Sequence, residues 1–229
     1  MDLASNIKNV TERIEKAAKR SGRNISDIRL VAVTKQVEAQ RIIEAAGLGV
    51  DTFGENYAQE LRDKHKTVEK AVKSGVKWHF IGRLQRNKVK YLIGNVELVH
   101  SLDSVSVAME IDKRAGKACI RMPVLIEVDT GGEEAKGGVG RDEVQGFINR
   151  LGDYDHIEVK GLMTMPPFFD EPERARPYFV ELRELRDNLR EKFPGLTELS
   201  MGMSGDFEVA IEEGATMVRI GSAIFGARA

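Results

Sequence analysis

Leu30-Val31-Ala32-Val33-Thr34-Lys35 is a short apolar run that ends on a lysine, close to the start of the chain. Its β-branched residues are typical of a buried strand. Similar runs recur along the sequence, separated by segments with helical periodicity. The predicted strands are residues 29–33, 52–54, 78–82, 98–101, 123–128, 158–163, 198–201 and 217–220. Strands that alternate with helices predict parallel pairing through right-handed crossovers.

Eight strand–helix units in 229 residues indicate an α/β protein, a (β/α)8 barrel of the TIM type. The predicted helices are residues 38–46, 57–73, 88–93, 104–115, 141–151, 173–192 and 207–213. A doubly wound sheet is the alternative, but no nucleotide-type fingerprint follows the first strand. Because no linker or low-complexity tract divides the sequence, we expect residues 1–229 to form a single barrel domain.

The two ends of the sequence predict a variation on this barrel. The sequence stops soon after the eighth predicted strand, so we expect neither an eighth helix nor a second β domain there. Ile7, Val10, Ile14 and Ala17 recur at helical spacing near the N-terminus. We therefore expect an extra N-terminal helix that fills the outer ring between strands eight and one.

Composition argues against several classes of protein. The 35 basic and 36 acidic residues nearly cancel, so the net charge of -1 predicts no bulk attraction to nucleic acid or membranes. No apolar run approaches the roughly 20 residues that span a bilayer, and the N-terminus lacks a signal-peptide core. The single cysteine, Cys119, cannot form an internal disulfide and fits a reducing compartment. A cytoplasmic protein is expected.

Lys35 is the first candidate for chemistry, because functional groups of such barrels gather at the carboxyl ends of the strands. A partly buried lysine whose pKa is lowered is neutral part of the time and can attack an aldehyde. The alternative is an exposed, inert lysine at the start of a loop.

The segments after strands seven and eight predict an anion site. Ser204 and Gly205 follow strand seven, and Gly221 and Ser222 follow strand eight, where barrels often bind phosphate. Glycines let backbone N–H groups approach oxygen closely, and serine hydroxyls add donors. Ordinary turn chemistry is the alternative. An amine together with a phosphate site predicts a phosphorylated aldehyde, with pyridoxal 5′-phosphate (PLP) as the leading candidate.

Two further residues are candidates for contacts to PLP. Arg219 lies within the eighth strand, and an inward-facing arginine there would hydrogen-bond a pyridine nitrogen and keep it unprotonated. Asn56 follows the second strand, where it would either bond the cofactor or cap the helix that begins at Tyr57. No two histidines have metal-ligand spacing, so no metal site is expected.

The same segments resemble the pyridoxal phosphate homeostasis proteins, from about Asp27 to the end of the sequence. The matching motifs are VAVTK at 31–35, FGEN at 53–56, HFIGRLQRNK at 79–88, GLMTM at 161–165, LSMGMS at 199–204 and VRIGSAIFG at 218–226. The resemblance implies the fold-type III PLP barrel that the N-terminal domain of alanine racemase shares. The glycine-rich segment 130–140 departs from the pattern and is expected to be a mobile loop.

The resemblance also implies roles for individual residues. Lys35 would form the Schiff base with PLP, and Arg219 would face the pyridine nitrogen. Ser204, Gly221 and Ser222 would contact the phosphate. The family keeps PLP available without an established turnover, so we expect no catalytic residues, a monomer, and apo PLP-dependent enzymes as partners.

Two enzymatic alternatives remain open from the sequence. A racemase of this fold takes a tyrosine base from a second domain, and racemisation needs a proton acceptor on each face of the α-carbon, of which Lys35 supplies one. A Schiff-base aldolase acting on a sugar phosphate would explain Lys35 and the phosphate site but would leave Arg219 unused.

Overall fold

Eight parallel strands close into a barrel in the computed structural model, which describes residues 2–73, 75–131 and 137–226. The strands are β1 (Arg29–Val33), β2 (Thr52–Glu55), β3 (Lys77–Phe80), β4 (Leu98–Leu102), β5 (Met122–Asp129), β6 (Ile157–Met163), β7 (Glu198–Ser200) and β8 (Met217–Ile220). Each strand pairs with the next along the chain, and β8 pairs with β1 to close the ring. The predicted barrel is therefore confirmed, with each strand boundary within two residues of its prediction.

Helices surround the barrel. They are α1 (Leu3–Arg20), α2 (Ala39–Gly47), α3 (Ala58–Ala71), α4 (Val105–Lys117), α5 (Val144–Leu151), α6 (Arg176–Arg190), α7 (Phe207–Glu212) and α8 (Ser222–Phe225). Between β3 and β4 the predicted helix at 88–93 is instead a 3₁₀ helix, Arg86–Tyr91. 3₁₀ helices are used in short pieces, and this one takes the place of the crossover α-helix between β3 and β4.

The N-terminal helix α1 completes the outer ring as predicted. Its buried face carries the expected stripe, including Ile7, Val10 and Ile14, and it packs against α7, α8 and α2. The Asn6 side-chain amide donates to the Ile224 carbonyl at 2.9 Å. The expectation that no helix follows the eighth strand is wrong, because α8 adds one helical turn. That turn forms because Ile224 and Phe225 are buried there, and α1 packs against it.

Hydrophobic residues form two layers. The larger layer lies between the strands and the helices, and a smaller one fills the lumen with Val31, Ile81, Leu98, Leu125, Met163 and Met217. Side chains alternate between the two faces of a strand. Polar residues that share the inward face with this smaller layer therefore meet inside the barrel. No helix in the described ranges is long and apolar enough to cross a membrane.

Candidate functional site at the carboxyl end of the barrel

The predicted site residues gather at one end of the barrel. Lys35 lies in the turn after β1, and Asn56 directly follows β2. Gly221 directly follows β8, so these three residues lie at the ends of three adjacent strands. A Cβ atom on Gly221 would lie 3.3 Å from the Val33 Cβ, which shows how closely the β8 end approaches β1.

Ser204 connects the ends of β7 and β8. The backbone N–H groups of Gly221 and Ala223 donate to Ser204 Oγ at 3.3 and 3.4 Å. Both bonds are long for N–H···O contacts, whose usual length is close to 2.9 Å. Ser222, exposed between them, begins α8. Two backbone N–H groups and the Ser204 hydroxyl therefore meet at the place where the sequence predicts an anion site.

Arg219 points into the lumen and is only 3% exposed. Its Nη1 donates to Ser200 Oγ at 2.6 Å, and its Nη2 donates to the Thr164 carbonyl at 2.9 Å. Burial lowers the pKa of Arg219 to about 10, and the carboxylates of Glu127 and Asp206 act in the opposite direction. The guanidinium is therefore charged at neutral pH, although the groups that it hydrogen-bonds are neutral.

Two histidines, 21 residues apart in the chain, meet inside the barrel. His79 Nδ1 and His100 Nε2 are 2.9 Å apart, and His100 Nδ1 lies 2.8 Å from Ser200 Oγ. The pKa of His79 is lowered to about 3, mainly by burial and also by the nearby charges of Arg29 and Lys77. Burial, together with His79 and Arg219, also keeps the pKa of His100 well below its ordinary value. Both rings are neutral at physiological pH.

Arg219 begins a hydrogen-bonded chain of side chains. A guanidinium can only donate, so Ser200 Oγ accepts from it, and the same hydroxyl is hydrogen-bonded to His100 Nδ1. His100 Nε2 is in turn hydrogen-bonded to His79 Nδ1. We call Ser200, His100 and His79 the neutral relay. Sequence reasoning missed this chain, since it considered the histidines only as metal ligands or as structural residues.

Glu127 is a second residue that the sequence analysis missed. It lies on β5 and is 7% exposed. Its pKa is raised to about 7, mainly by burial and also by the charge of Asp103, while Arg219 and Arg83 act against the rise. A cavity of about 100 Å³ opens beside it, lined also by Met165 and Pro167. The alternation of Leu125 and Glu127 along β5 is the signal that would have placed this carboxyl in the lumen.

Asn56 does not cap the following helix. The N-cap of α3 is Tyr57, and no side chain caps that end. Asn56 Oδ1 is buried and has no hydrogen-bond partner within the described ranges. An amide oxygen of this kind is able to accept a bond from a bound molecule.

The glycine-rich segment 130–140 lies only in part within the structure described here. The prediction of a mobile loop covers residues 130–140, of which residues 132–136 lie outside the described residues. On either side, Gly131 follows β5, and the two-residue strand Val139–Gly140 pairs with β5 in parallel. Among the residues that are described, no cluster of three or more His, Cys, Asp or Glu could hold a metal ion.

Comparisons with known proteins agree with this geometry. The family model for the alanine racemase N-terminal domain matches residues 5–229. The pyridoxal phosphate homeostasis protein of Aquifex aeolicus is 48% identical over 229 residues, which is 100% of this chain and 99% of that protein.

Two solved structures are similar along nearly their whole length. A crystal structure from Bifidobacterium adolescentis, described as an unknown protein, has a TM-score of 0.92 and 34% identity, covering 97% of this chain and 94% of that one. PipY of Synechococcus elongatus, solved with PLP bound, has a TM-score of 0.85 and 29% identity over 98% of this chain and 100% of its own. The chain therefore belongs to the alanine racemase N-terminal domain family and, within it, to the pyridoxal phosphate homeostasis proteins.

Proposed function

We propose that this protein binds PLP at the barrel mouth and acts in PLP homeostasis, with Lys35 as the residue that holds the cofactor covalently. The supporting observation is that Ser204 Oγ is hydrogen-bonded to the N–H groups of Gly221 and Ala223. Gly221 lies next to the end of β1, which Lys35 follows. PLP bound in the PipY structure supports the same cofactor here.

The residues at the mouth fit PLP in three respects. The long bonds from Gly221 and Ala223 to Ser204 are weak enough to be exchanged for bonds to a phosphate. Asn56 carries a buried oxygen without a partner. Arg219 is a buried cation whose hydrogen bonds go to neutral acceptors. Ser204, Gly221 and Ser222 would hold the phosphate, and Arg219 and Asn56 would contact the ring.

The surrounding residues favour holding the cofactor over turning over a substrate. When bound, PLP supplies an aldehyde that reacts with amines and a ring that withdraws electrons. Arg219 remains protonated at neutral pH. Because a guanidinium donates a hydrogen bond without giving up its proton, a ring nitrogen that accepts from it stays unprotonated. An unprotonated ring is a weaker electron sink. This combination supports a carrier with inefficient turnover.

The proposal includes a cytoplasmic location, a monomer, and apo PLP-dependent enzymes as recipients of the cofactor. Cys119 is a free, exposed thiol, which fits a reducing compartment.

Covalent trapping tests the proposal. Borohydride reduction of the PLP-loaded protein, followed by peptide mapping, is expected to place the pyridoxyl group on Lys35. Lys35→Ala should lose the yellow absorbance band and keep its circular dichroism spectrum. Lys66→Ala, which changes an exposed lysine on α3, serves as the control and should keep the band.

Two results would contradict this assignment. Recovery of the adduct mainly on another lysine would exclude Lys35. The same loaded protein, incubated with single enantiomers of alanine in deuterium oxide, should show negligible exchange at the α-carbon. Racemisation at about 1 per second or faster would make it a racemase, since that rate is within the ordinary enzyme range.

A further inference from the structure

The turn that carries Lys35 has a backbone conformation that needs outside support. It follows β1, whose hydrogen bonding to β2 extends to the Thr34 N–H, which donates to the Gly54 carbonyl at 2.9 Å. Gln36 has a φ of +61°, which is in the left-handed region that non-glycine residues rarely adopt. Such a conformation persists where the surrounding contacts leave the chain no alternative.

Hydrogen bonds hold this turn on both sides of Lys35. Before it, the Thr34 carbonyl accepts a bond from Lys64 Nζ at 2.8 Å, and the Thr34 hydroxyl donates to Glu55 Oε1 at 2.7 Å. After it, the Gln36 backbone N–H donates to Glu60 Oε2 at 2.8 Å. The two residues that flank Lys35 are therefore tied to β2 and α3.

Lys64 joins these contacts into one unit. Its ammonium group donates to the Thr34 carbonyl, to Glu55 Oε1 at 2.8 Å and to Glu60 Oε2 at 2.7 Å, which uses all three of its donors. The Lys64 side chain is 13% exposed, and that of Glu55 is fully buried. We call Glu55, Glu60 and Lys64 the charged bracket.

Each carboxylate of the bracket depends on Lys64. Burial raises the pKa of Glu55, and the hydrogen bond and charge of Lys64 limit the rise. Burial also acts to raise the pKa of Glu60. The bonds from Lys64 and from the Gln36 N–H outweigh that effect and lower it. Both groups therefore keep their acceptor oxygens in place through the same cation.

We propose that Glu55, Glu60 and Lys64 are positioning residues, which hold the backbone on both sides of Lys35 so that its amine meets PLP in one fixed place. This inference depends on the proposed function, since it concerns how Lys35 takes up its cofactor. A group that reacts with a bound molecule gains when its support is rigid before binding, because less freedom is then lost.

Glu60 is the best residue for the test, because its side chain is 29% exposed and the protein should fold without it. Glu60→Ala removes the acceptor for the Gln36 N–H, whereas Glu60→Gln keeps an oxygen there without the charge. Glu69→Ala, which changes an exposed glutamate on the same helix, is the matched control. The measurements are hydrogen exchange of the Gln36 amide in the PLP-free protein and PLP affinity by absorbance titration.

Glu60→Ala is expected to accelerate Gln36 exchange and to weaken PLP binding about tenfold, the scale of one lost hydrogen bond to a charged group. Glu60→Gln should restore most of both, and Glu69→Ala should change neither. The inference is overturned by wild-type PLP affinity in Glu60→Ala, or by weaker affinity with unchanged Gln36 exchange. Failure of the proposed function is distinct: borohydride would then trap PLP away from Lys35 in the wild-type protein itself.

Discussion

Lys64 and Arg219 both lie near the barrel mouth, but the groups around them differ in charge. Lys64, on α3, contacts two carboxylates, Glu55 of β2 and Glu60 of α3. Arg219, in the lumen, hydrogen-bonds a hydroxyl and a carbonyl. That hydroxyl, of Ser200, is also hydrogen-bonded to the neutral imidazole of His100, which is hydrogen-bonded to that of His79. The first cation is therefore neutralised by direct contacts, whereas the second contacts no carboxylate among the residues that the structure describes.

The charge of Lys64 therefore has a structural role, whereas the charge of Arg219 is available to a bound molecule. The charge of Lys64 is met by the two carboxylates of the charged bracket, so the bracket acts on the shape of the Lys35 turn. A buried cation without a contacting anion attracts electron-rich groups of a ligand more strongly than it would in water. The neutral relay thus orients Arg219 and leaves its positive charge to act on a bound molecule.

Removing Lys64 is expected to have the largest effect on folding. Lys64→Met leaves the fully buried Glu55 carboxylate without its cation, which should lower the free energy of unfolding by about 3 kcal/mol. Urea denaturation of the PLP-free protein measures the change, and Lys66→Met should stay within about 0.5 kcal/mol of wild type. Adding Glu55→Gln to Lys64→Met should recover part of the loss. A double variant that is less stable than Lys64→Met would contradict the bracket as an ion cluster.

Removing Arg219 should affect PLP binding more than it affects stability. Arg219→Met is expected to weaken PLP binding by about 2 kcal/mol, because a charged hydrogen-bond donor is lost. The free energy of unfolding should change by only about 1 kcal/mol, because the buried charge is itself costly to hold. Equilibrium titration and urea denaturation of one preparation give both values. A large loss of stability with unchanged PLP affinity would reverse the comparison.

Lowering the pH should reduce the stability that the neutral relay contributes. The change per pH unit should be smaller than the effects expected for the two substitutions above. The pKa values of His79 and His100 are lower in the folded state than in the unfolded chain, so the unfolded chain binds more protons below about pH 6.5. Stability from these groups is present above that pH and is lost as the pH falls toward about 3, the pKa of His79. Each imidazole contributes a slope of about 1.4 kcal/mol per pH unit within this window.

His79→Phe isolates one of these slopes. The measurement is urea denaturation between about pH 4.5 and 6.5, just below the ordinary histidine pKa of roughly 6.5. Stability should rise with pH less steeply in the variant than in wild type. Glu127, whose pKa is raised to about 7, contributes a slope of opposite sign, but it is common to both proteins and cancels in the difference. Equal slopes would show that His79 is not held neutral by the fold.

Much of the fold could be predicted because its signals are local. The run from Leu30 to Val33 is apolar and β-branched, and each similar run is followed by a helical or turn segment, which is sufficient to identify a strand. The region between β3 and β4 was harder, since a short 3₁₀ helix and a short α-helix have similar spacing of apolar residues. The turn after Gly221 was missed for the same reason of length.

The candidate site was predictable only in part. Lys35, Ser204 and Gly221 follow strands, and chain direction alone places them at the carboxyl end of the barrel. The neutral relay joins β3, β4 and β7, and His100 and Ser200 are 100 residues apart. No sequence spacing encodes a contact of that range.

Sequence by itself determined the number of strands, their parallel order and the end of the barrel at which reactive groups would lie, because alternation and chain direction are properties of neighbouring residues. Tertiary structure decided which polar side chains meet and which of them carry charge. Glu127, His79 and Arg219 differ from their ordinary pKa values because closing the barrel removes water from them and fixes the distances between them. Both the burial of these groups and the distances between them are set only when β8 pairs with β1 and closes the barrel.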